Sequence, residues 1–280
     1  MHTLIKKPVA FQGAHYAFSE MAARQFFGNE IDSLPCRTFE EVFETVVQDI
    51  AEFGVLPIEN SLTGSIHRNY DLLIDYDVKI VAETVLRIAQ NLITNPGVSL
   101  SDINTIYSHP QALEQCRRFI SSMEGVEAVA TYDTAGSVKM IRDEKIMDAA
   151  AVASRWAAED YGMQILKEEI EDYPHNFTRF IVIGSKEKVL GSADKTSIVF
   201  SMKSIPGALF KCLSVFALRD IDLLKIESRP MRGKPFSYIF YLSFAASMQE
   251  QSSINAIRHL EEITDFVKIL GSYPSGQLDL

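Results

Sequence analysis

Residues 78–93 read VKIVAETVLRIAQNLI, an alternating and largely apolar stretch. The alternation favours an extended strand over a helix, and the run is far longer than the usual strand of about 5–6 residues. It predicts a strand that leaves one α/β lobe and enters another.

The segments on either side fit that reading. Upstream, VAFQG (9–13) predicts a strand, and Ser19 starts an amphipathic stretch that ends before Gly28. Thr38 and Glu41 form a capping-box pattern for a helix with Val42, Val46 and Ile50 on one side. EFGVLPIEN (52–60) returns as a strand and IHRNYDLLI (66–74) as a helix. Downstream of the Asn95-Pro96-Gly97 turn, TIYS, EAVATY and DAAAVA predict strands, while PQALEQCRRFI, TAGSVKMIR and SRWAAEDYG predict helices. Strands alternating with helices mean βα units and a mostly parallel sheet.

The rhythm changes after Lys195. TSIVFSM is a strand, PGALFKCLSVFALRD a helix with Pro206 near its first turn, and LLKIESRP a strand. FSYIFYLSF, SINAIRHLEEIT and FVKILGSY follow as strand, helix and strand. That order is βαββαβ, the split βαβ of ferredoxin-like folds. The polar stretch GSKEKVLGSADK lies between the two regions. The expected division is residues 1–186, a linker at 187–194, and residues 195–280.

The chain has 280 residues, 37 acidic and 27 basic, and a formal net charge of −10. At roughly 150 residues per domain that length predicts about two domains. Its 47% hydrophobic and 23% charged residues exclude wholesale disorder. The acidic balance, with no Lys/Arg block, argues against nucleic acid as a partner. Cys36, Cys116 and Cys212 are an odd count without a CxxC pair, which argues against a disulfide framework and a cysteine zinc site. The apolar core of MHTLIKKPVAFQG is too short for a secretory signal, and no apolar run reaches membrane-spanning length. These features predict a cytoplasmic protein in a reducing compartment.

Three segments carry side chains suited to chemistry. PIENSLTGS (57–65) follows a strand end, where α/β sheets place ligands, and offers Glu59, Asn60, Ser61 and Ser65 beside Gly64. The alternative is an ordinary polar loop in which Ser65 caps the next helix. YSHPQALEQC (107–116) sets Ser108 and His109 ahead of Pro110 at a helix start, which suits an anion site or a plain N-cap serine. His109 titrates near neutrality unless perturbed, and one of Gln111 and Gln115 can face a cleft while the other faces water. NFTRF (176–180) offers the Thr178 hydroxyl and the Arg179 guanidinium. Arg179 either grips a carboxylate ligand or pairs with Glu171 or Asp172. No GxGxxG, Walker, GxSxG or HExxH motif is present, so no cofactor and no metal are expected.

Together these segments resemble the prephenate dehydratases, lyases that make phenylpyruvate for phenylalanine synthesis. The resemblance rests on VLPIENSLTGSIHRNYDLL, SHPQALEQC, DTAGSVKMI and Asp172 six positions before Thr178-Arg179-Phe180. LFKCLSVFALRDIDLLKIESRP resembles the family's regulatory ACT domain. SIHRNYDLL and FALRDIDLLKIESRP are also similar to plastid arogenate dehydratases, which use the transaminated substrate. Two positions depart from the family pattern: Tyr16 stands where Gly is usual in the first loop, and Leu224 where Ser or Thr is more frequent.

The resemblance implies a two-lobed catalytic domain of the type II periplasmic-binding-protein kind, with a central cleft and a C-terminal ACT domain. It implies Thr178 as the residue nearest the proton transfer, with Glu59 a second acid candidate that alternatively only pairs with Arg179. Asn60, Ser61, Ser108, Gln115, Arg179 and Phe180 would hold the substrate. Gly207, Ala208, Leu209 and Phe210, with Glu227, Ser228, Arg229 and Pro230, would bind phenylalanine between two ACT domains and give feedback inhibition. A homodimer or homotetramer through those domains follows. Two alternatives stand beside this reading: an arogenate dehydratase, and a non-catalytic amino-acid-sensing protein of the same fold. No long helical segment precedes Pro8, so a fused chorismate mutase is not expected.

Overall fold

The structure is a computed structural model and describes residues 8–184, 190–231 and 233–278. The chain first builds β1 (Val9–Gln12), α1 (Phe18–Phe27), β2 (Ser33–Cys36), α2 (Phe39–Val47), β3 (Phe53–Asn60), the short β4 (Gly64–Ser65), α3 (His67–Asp75) and β5 (Lys79–Arg87). It then builds β6 (Asn91–Thr94), β7 (Thr105–Ser108), α4 (Pro110–Gln115), α5 (Arg117–Ser121), β8 (Glu127–Ala130), α6 (Thr134–Asp143), β9 (Ala149–Ala153), α7 (Arg155–Tyr161) and β10 (Gln164–Lys167). β11 (Phe177–Gly184) returns to the first sheet, ordered β2-β1-β3-β11-β5, while the second runs β10-β6-β9-β7-β8.

The chain thus crosses twice between two α/β lobes, the architecture of type II periplasmic binding proteins. The stretch 78–93 is two strands in two sheets, not the single long strand expected from its pattern. Its break at 88–90 is held by the returning segment: Ile88 N–H donates to Asn176 O at 2.8 Å, and Ile170 N–H to Gln90 O at 2.8 Å. The two crossings therefore brace each other, and the backbone groups that leave the sheets stay bonded.

The third sheet comes from β12 (Lys195–Ser201), α8 (Ala208–Ala217), β13 (Leu223–Pro230), β14 (Tyr238–Phe244), α9 (Gln251–Ile263) and β15 (Phe266–Tyr273), ordered β13-β14-β12-β15. This is the βαββαβ ACT fold. One face packs on α8 and α9 through Ile198, Phe200, Phe216, Leu242 and Leu260. On the other face Val199, Tyr241, Leu270 and Tyr273 share a core with Leu56, Leu72, Ile80 and Ile181 of the first lobe. β15 crosses β5 so closely that a Cβ at Gly271 would collide with the Ile80 carbonyl. β5 is buried without interruption from Ile80 to Val85, because α1 covers one face and the ACT sheet the other.

Several local expectations are corrected. α8 begins at Ala208 behind Gly207, whose φ is 77°, so Pro206 stands ahead of the helix and not in its first turn. α2 ends at Val47 and leaves Ile50 exposed. Thr38 does cap α2, accepting from Glu41 N–H at 3.2 Å, but the Glu41 carboxylate accepts from Arg37 N–H. β2 and β10 escape the sequence pattern because both are short edge strands, and β2 contains Pro35. The expected boundary after residue 186 and linker positions 187–189 lie outside the described residues. Leu190 beyond them packs on the first lobe and donates its N–H to Val81 O at 3.3 Å. Among the described residues no helix is long and apolar enough to cross a membrane.

Candidate active site

Strand alternation on β11 decides what each side chain of the NFTRF segment can do. Thr178 and Phe180 face a cleft between the lobes, and Arg179 faces the ACT domain. The partner strand β3 matches this through a bulge: Arg179 pairs with Glu59 and Phe180 with Pro57, leaving Ile58 as the extra residue. The bulge keeps Asn60 and Pro57 in the cleft wall and turns Glu59 to the opposite face. Glu59 and Arg179 therefore lie outside this cleft and meet each other at 3.5 Å, the pairing given as the alternative for Glu59.

The cleft encloses about 300 Å³. Phe18, Phe39, Ile66, Ile88 and Phe180 give it apolar walls; Gln90, His109, Gln111, Gln115, Asp133 and Thr178 supply polar groups. Among the described residues, no Lys or Arg lines it. Asn60 is 3% exposed, and its Nδ2 donates to Thr178 Oγ1 at 3.0 Å and to Asn176 Oδ1 at 2.7 Å. Its Oδ1 accepts from Leu62 N–H and Thr63 N–H, both at 3.0 Å. Asn60 thus locks its own loop to β11, and its polar atoms are engaged with protein. Because Thr178 Oγ accepts from Asn60, the hydroxyl keeps its own hydrogen to donate elsewhere.

Both glutamines reach the cleft, where only one was expected: Gln111 Nε2 donates to Thr63 Oγ1 at 3.0 Å, and Gln115 Oε1 accepts from Gln90 Nε2 at 3.3 Å. Ser108 neither caps a helix nor lines the cleft. It is fully buried and donates to Val152 O at 2.6 Å, and His109 is the N-cap of α4 in its place. His109 Nδ1 accepts from Gln111 N–H at 3.2 Å, which leaves Nε2 as its protonated nitrogen when neutral. Ser61 ties its loop to the start of β11, accepting from Phe177 N–H at 2.9 Å and donating to His175 O at 3.2 Å. It is not among the cleft-lining residues.

Asp133, not singled out from the sequence, joins both lobes at the cleft. It caps α6 through Gly136 N–H at 2.8 Å and accepts from Ala14 N–H of the first lobe at 3.3 Å. Burial raises its pKa, outweighing these hydrogen bonds and the nearby His109. Its signals in the sequence were an Asp just ahead of a helical pattern, an N-cap signature, and its place at the head of the DTAGSVKMI motif.

Behind the β11–β3 pair, a second cavity of about 300 Å³ separates the first lobe from the ACT sheet. Glu83, 4% exposed, accepts from Arg179 Nη1 and from Lys195 Nζ, the latter at 2.7 Å. Arg179 also meets Glu59 at 3.5 Å, so it pairs with these two carboxylates and not with Glu171 or Asp172. Burial alone would lower the Arg179 pKa, but Glu83 and Glu59 raise it; for Lys195 burial outweighs Glu83 and the pKa falls. Lys225 of β13 donates to Glu59 Oε1 and to Ser65 Oγ, each at 2.6 Å. Ser65 therefore joins the interdomain network, and Ile66, not Ser65, is the N-cap of α3.

The expected effector residues divide likewise. Gly207, Ala208, Leu209 and Phe210 border a concavity formed by residues 202–210 alone. Alternation along β13 turns Glu227 and Arg229 onto the first lobe, where they meet His67 at 3.0 Å and Asp71 at 3.1 Å. Ser228 and Pro230 remain exposed on the outer edge. Glu227 and Arg229 are thus interdomain contacts within one chain.

The prephenate dehydratase family model matches residues 9–188. Arogenate dehydratase/prephenate dehydratase 2, chloroplastic, of Arabidopsis thaliana is 46% identical over 277 residues, covering 95% of this chain and 72% of that protein. The prephenate dehydratase of Arthrobacter aurescens, solved with L-Phe, superposes with a TM-score of 0.87 at 30% identity, covering 95% of this chain and 89% of that one. A structure described as a novel type of quorum-quenching acylase also superposes at 0.87, with 32% identity over 96% of this chain and 98% of its own. The matches extend over both lobes and the ACT sheet, and the chain belongs to the prephenate dehydratase family.

Proposed function

We propose that the cleft converts prephenate to phenylpyruvate, CO₂ and water, with Thr178 donating a hydrogen bond to the departing hydroxyl. The bond from the quaternary ring carbon to its carboxylate breaks, and the electron pair moves through the diene and expels the hydroxyl across the ring. That oxygen leaves as water once it has gained a proton. The observation that carries the reading is the Asn60 Nδ2 to Thr178 Oγ1 hydrogen bond of 3.0 Å inside the cleft. It fixes the acceptor side of the hydroxyl and leaves the donor side for substrate.

Gln90, Gln111, Gln115 and His109 offer neutral donors for the substrate's carboxylates, and Phe18, Phe39, Ile88 and Phe180 pack the ring. Water-poor walls also favour loss of a carboxylate as neutral CO₂. One observation favours arogenate as a second substrate: among the described residues no Lys or Arg lines the cleft, and the Asp133 carboxylate does. Prephenate carries two negative charges on this route, whereas arogenate replaces its keto group by an ammonium and carries one net charge. Purified protein given each compound, with phenylpyruvate and phenylalanine measured separately, tests the assignment. Formation of neither product overturns it.

Regulation by phenylalanine belongs to the same proposal. The concavity at Gly207–Phe210 includes no residue of Glu227–Pro230, so one chain holds only part of the expected site. β13 is an edge strand, and Leu224, Ile226, Phe210 and Tyr238 are exposed on the ACT domain. Pairing two ACT domains along that edge would complete the site and cover these side chains, supporting a homodimer or a homotetramer. Gly207→Val is expected to raise the phenylalanine concentration for half inhibition at least tenfold without touching the cleft. An unchanged value in a folded, oligomeric variant would place the effector elsewhere. The free, buried state of Cys36, Cys116 and Cys212 supports a reducing compartment such as the cytoplasm.

A further inference from the structure

The loop between β1 and α1 is continuous with the first lobe but packs into the second. Tyr16 stands in this loop at a φ of 71°, left-handed backbone that is unfavourable for a side chain larger than glycine. Its ring meets two rings of α7 edge-on, Trp156 at 4.9 Å and Tyr161 at 5.0 Å between centroids. Ser154, the N-cap of α7, donates Oγ–H to the Tyr16 carbonyl at 3.1 Å. Asp160 on the same helix, together with burial, raises the pKa of the Tyr16 phenol. The next residue, Ala17, lies within the second lobe's core beside Ala135, Val138 and Ala157. From α1, the Arg24 guanidinium covers the Trp156 ring at 5.3 Å.

These contacts sit at the cleft itself. Ala17, Phe18 and Ser19 line it from the first lobe, and Tyr132, Asp133 and Thr134 from the second. The lobes are joined covalently by the two crossing segments, which is the arrangement of a hinge. Rotation about that hinge to open the cleft would withdraw Tyr16 and Ala17 from the second lobe's core and break the Ser154 and Asp133 hydrogen bonds. An unfavourable backbone conformation persists where surrounding contacts over-determine it; here the Glu20 carboxylate holds the Tyr16 N–H at 2.7 Å within the first lobe, while the ring and the carbonyl are held across the lobe boundary.

We propose that Tyr16 is a positioning residue that latches the second lobe onto the first, holds the free protein with its cleft closed, and thereby sets substrate affinity. The kinetic half of this inference rests on the dehydratase reading of the cleft; the structural half does not. When the binding-competent arrangement is only fractionally populated, apparent affinity falls by that fraction. Bound substrate then restores closure, so turnover at saturation is nearly preserved.

The test uses Tyr16→Gly, which accepts the left-handed backbone and removes the ring, and Tyr16→Phe, which keeps the ring. Spin labels at Glu30→Cys in the first lobe and Glu144→Cys in the second report the lobe separation in the full chain without ligand. The native cysteines are buried, so labelling is confined to the introduced sites, and dilution with unlabelled chain suppresses distances between subunits. Tyr16→Gly is expected to broaden the distance distribution and shift it, and to raise KM about tenfold with kcat within about twofold. Tyr16→Phe is expected to keep the parent distribution and KM. Trp156→Leu, which removes the receiving ring from the other lobe, should reproduce the Tyr16→Gly shift if the latter fails to fold. An unchanged distribution in Tyr16→Gly or Trp156→Leu overturns the latch. A shifted distribution with no turnover of prephenate or arogenate by the parent keeps the latch and overturns the dehydratase reading. A fall in kcat with KM unchanged overturns the role in affinity.

Discussion

Thr178→Ala is expected to lower kcat by about a hundred- to a thousandfold while KM changes little. The range is that found when one preorganised donor to developing charge is removed, about 10²–10³ in kcat. The hydroxyl meets its oxygen partner most strongly as the ring carbon–oxygen bond breaks, so the loss falls on the transition state and not on binding. Thr178→Ser keeps the donor and should recover most of the rate. Steady-state kinetics on both variants decide the matter. A kcat within about threefold of the parent, equivalent to roughly 0.7 kcal/mol, would show that Thr178 does not act on the leaving group.

Glu83→Ala is expected to be the most damaging single change to stability among those considered. The side chain is buried in β5 and is shared by Arg179 and Lys195, and Gly276 N–H adds a contact at 3.3 Å. Removing it leaves Lys195 buried at 6% exposure without its carboxylate, and Arg179 only with the more distant Glu59. Breaking one side of a buried pair costs about 3 kcal/mol or more, which for a domain of this size lowers Tm by roughly 6–12 °C. Glu40→Ala provides the contrast. Its pair with Arg68 is solvent-accessible on both sides, and exposed pairs contribute about 1 kcal/mol at most. Scanning calorimetry of both variants measures the difference, and a drop of less than about 2 °C for Glu83→Ala would remove the network's structural role. Because Arg179 follows Thr178 directly on β11 and Lys195 opens β12, the same carboxylate ties the strand that carries Thr178 to the ACT sheet.

The two-lobed arrangement came through family resemblance, while the sequence by itself determined the alternating βα class and the βαββαβ unit after Lys195. Those features are written locally. Strand and helix periods, the Thr38 cap and the motif order survive whatever the rest of the chain does. Only the tertiary structure decided which way the motif side chains point. The family resemblance implied Arg179 as a substrate ligand and Glu59 as a second acid candidate, yet alternation sends neighbours of Thr178 and Asn60 to the opposite face, and the bulge at Ile58 sets the phase. Which face borders the cleft and which meets the ACT domain depends on what packs there, and those segments are far away in the chain. Ser108 shows the same limit: its place before a helix suggested an anion site, but Val152 of a neighbouring strand takes its hydroxyl. Glu83 was not singled out from the sequence, because its partners Arg179 and Lys195 come from other strands. Tyr16 departed from the expected Gly in the sequence, and only the second lobe's core explains how a tyrosine is held there. Local patterns encode elements and their order; contacts between distant elements assign each side chain its partner, because burial and pairing are properties of the assembled surfaces and not of the segment that carries them.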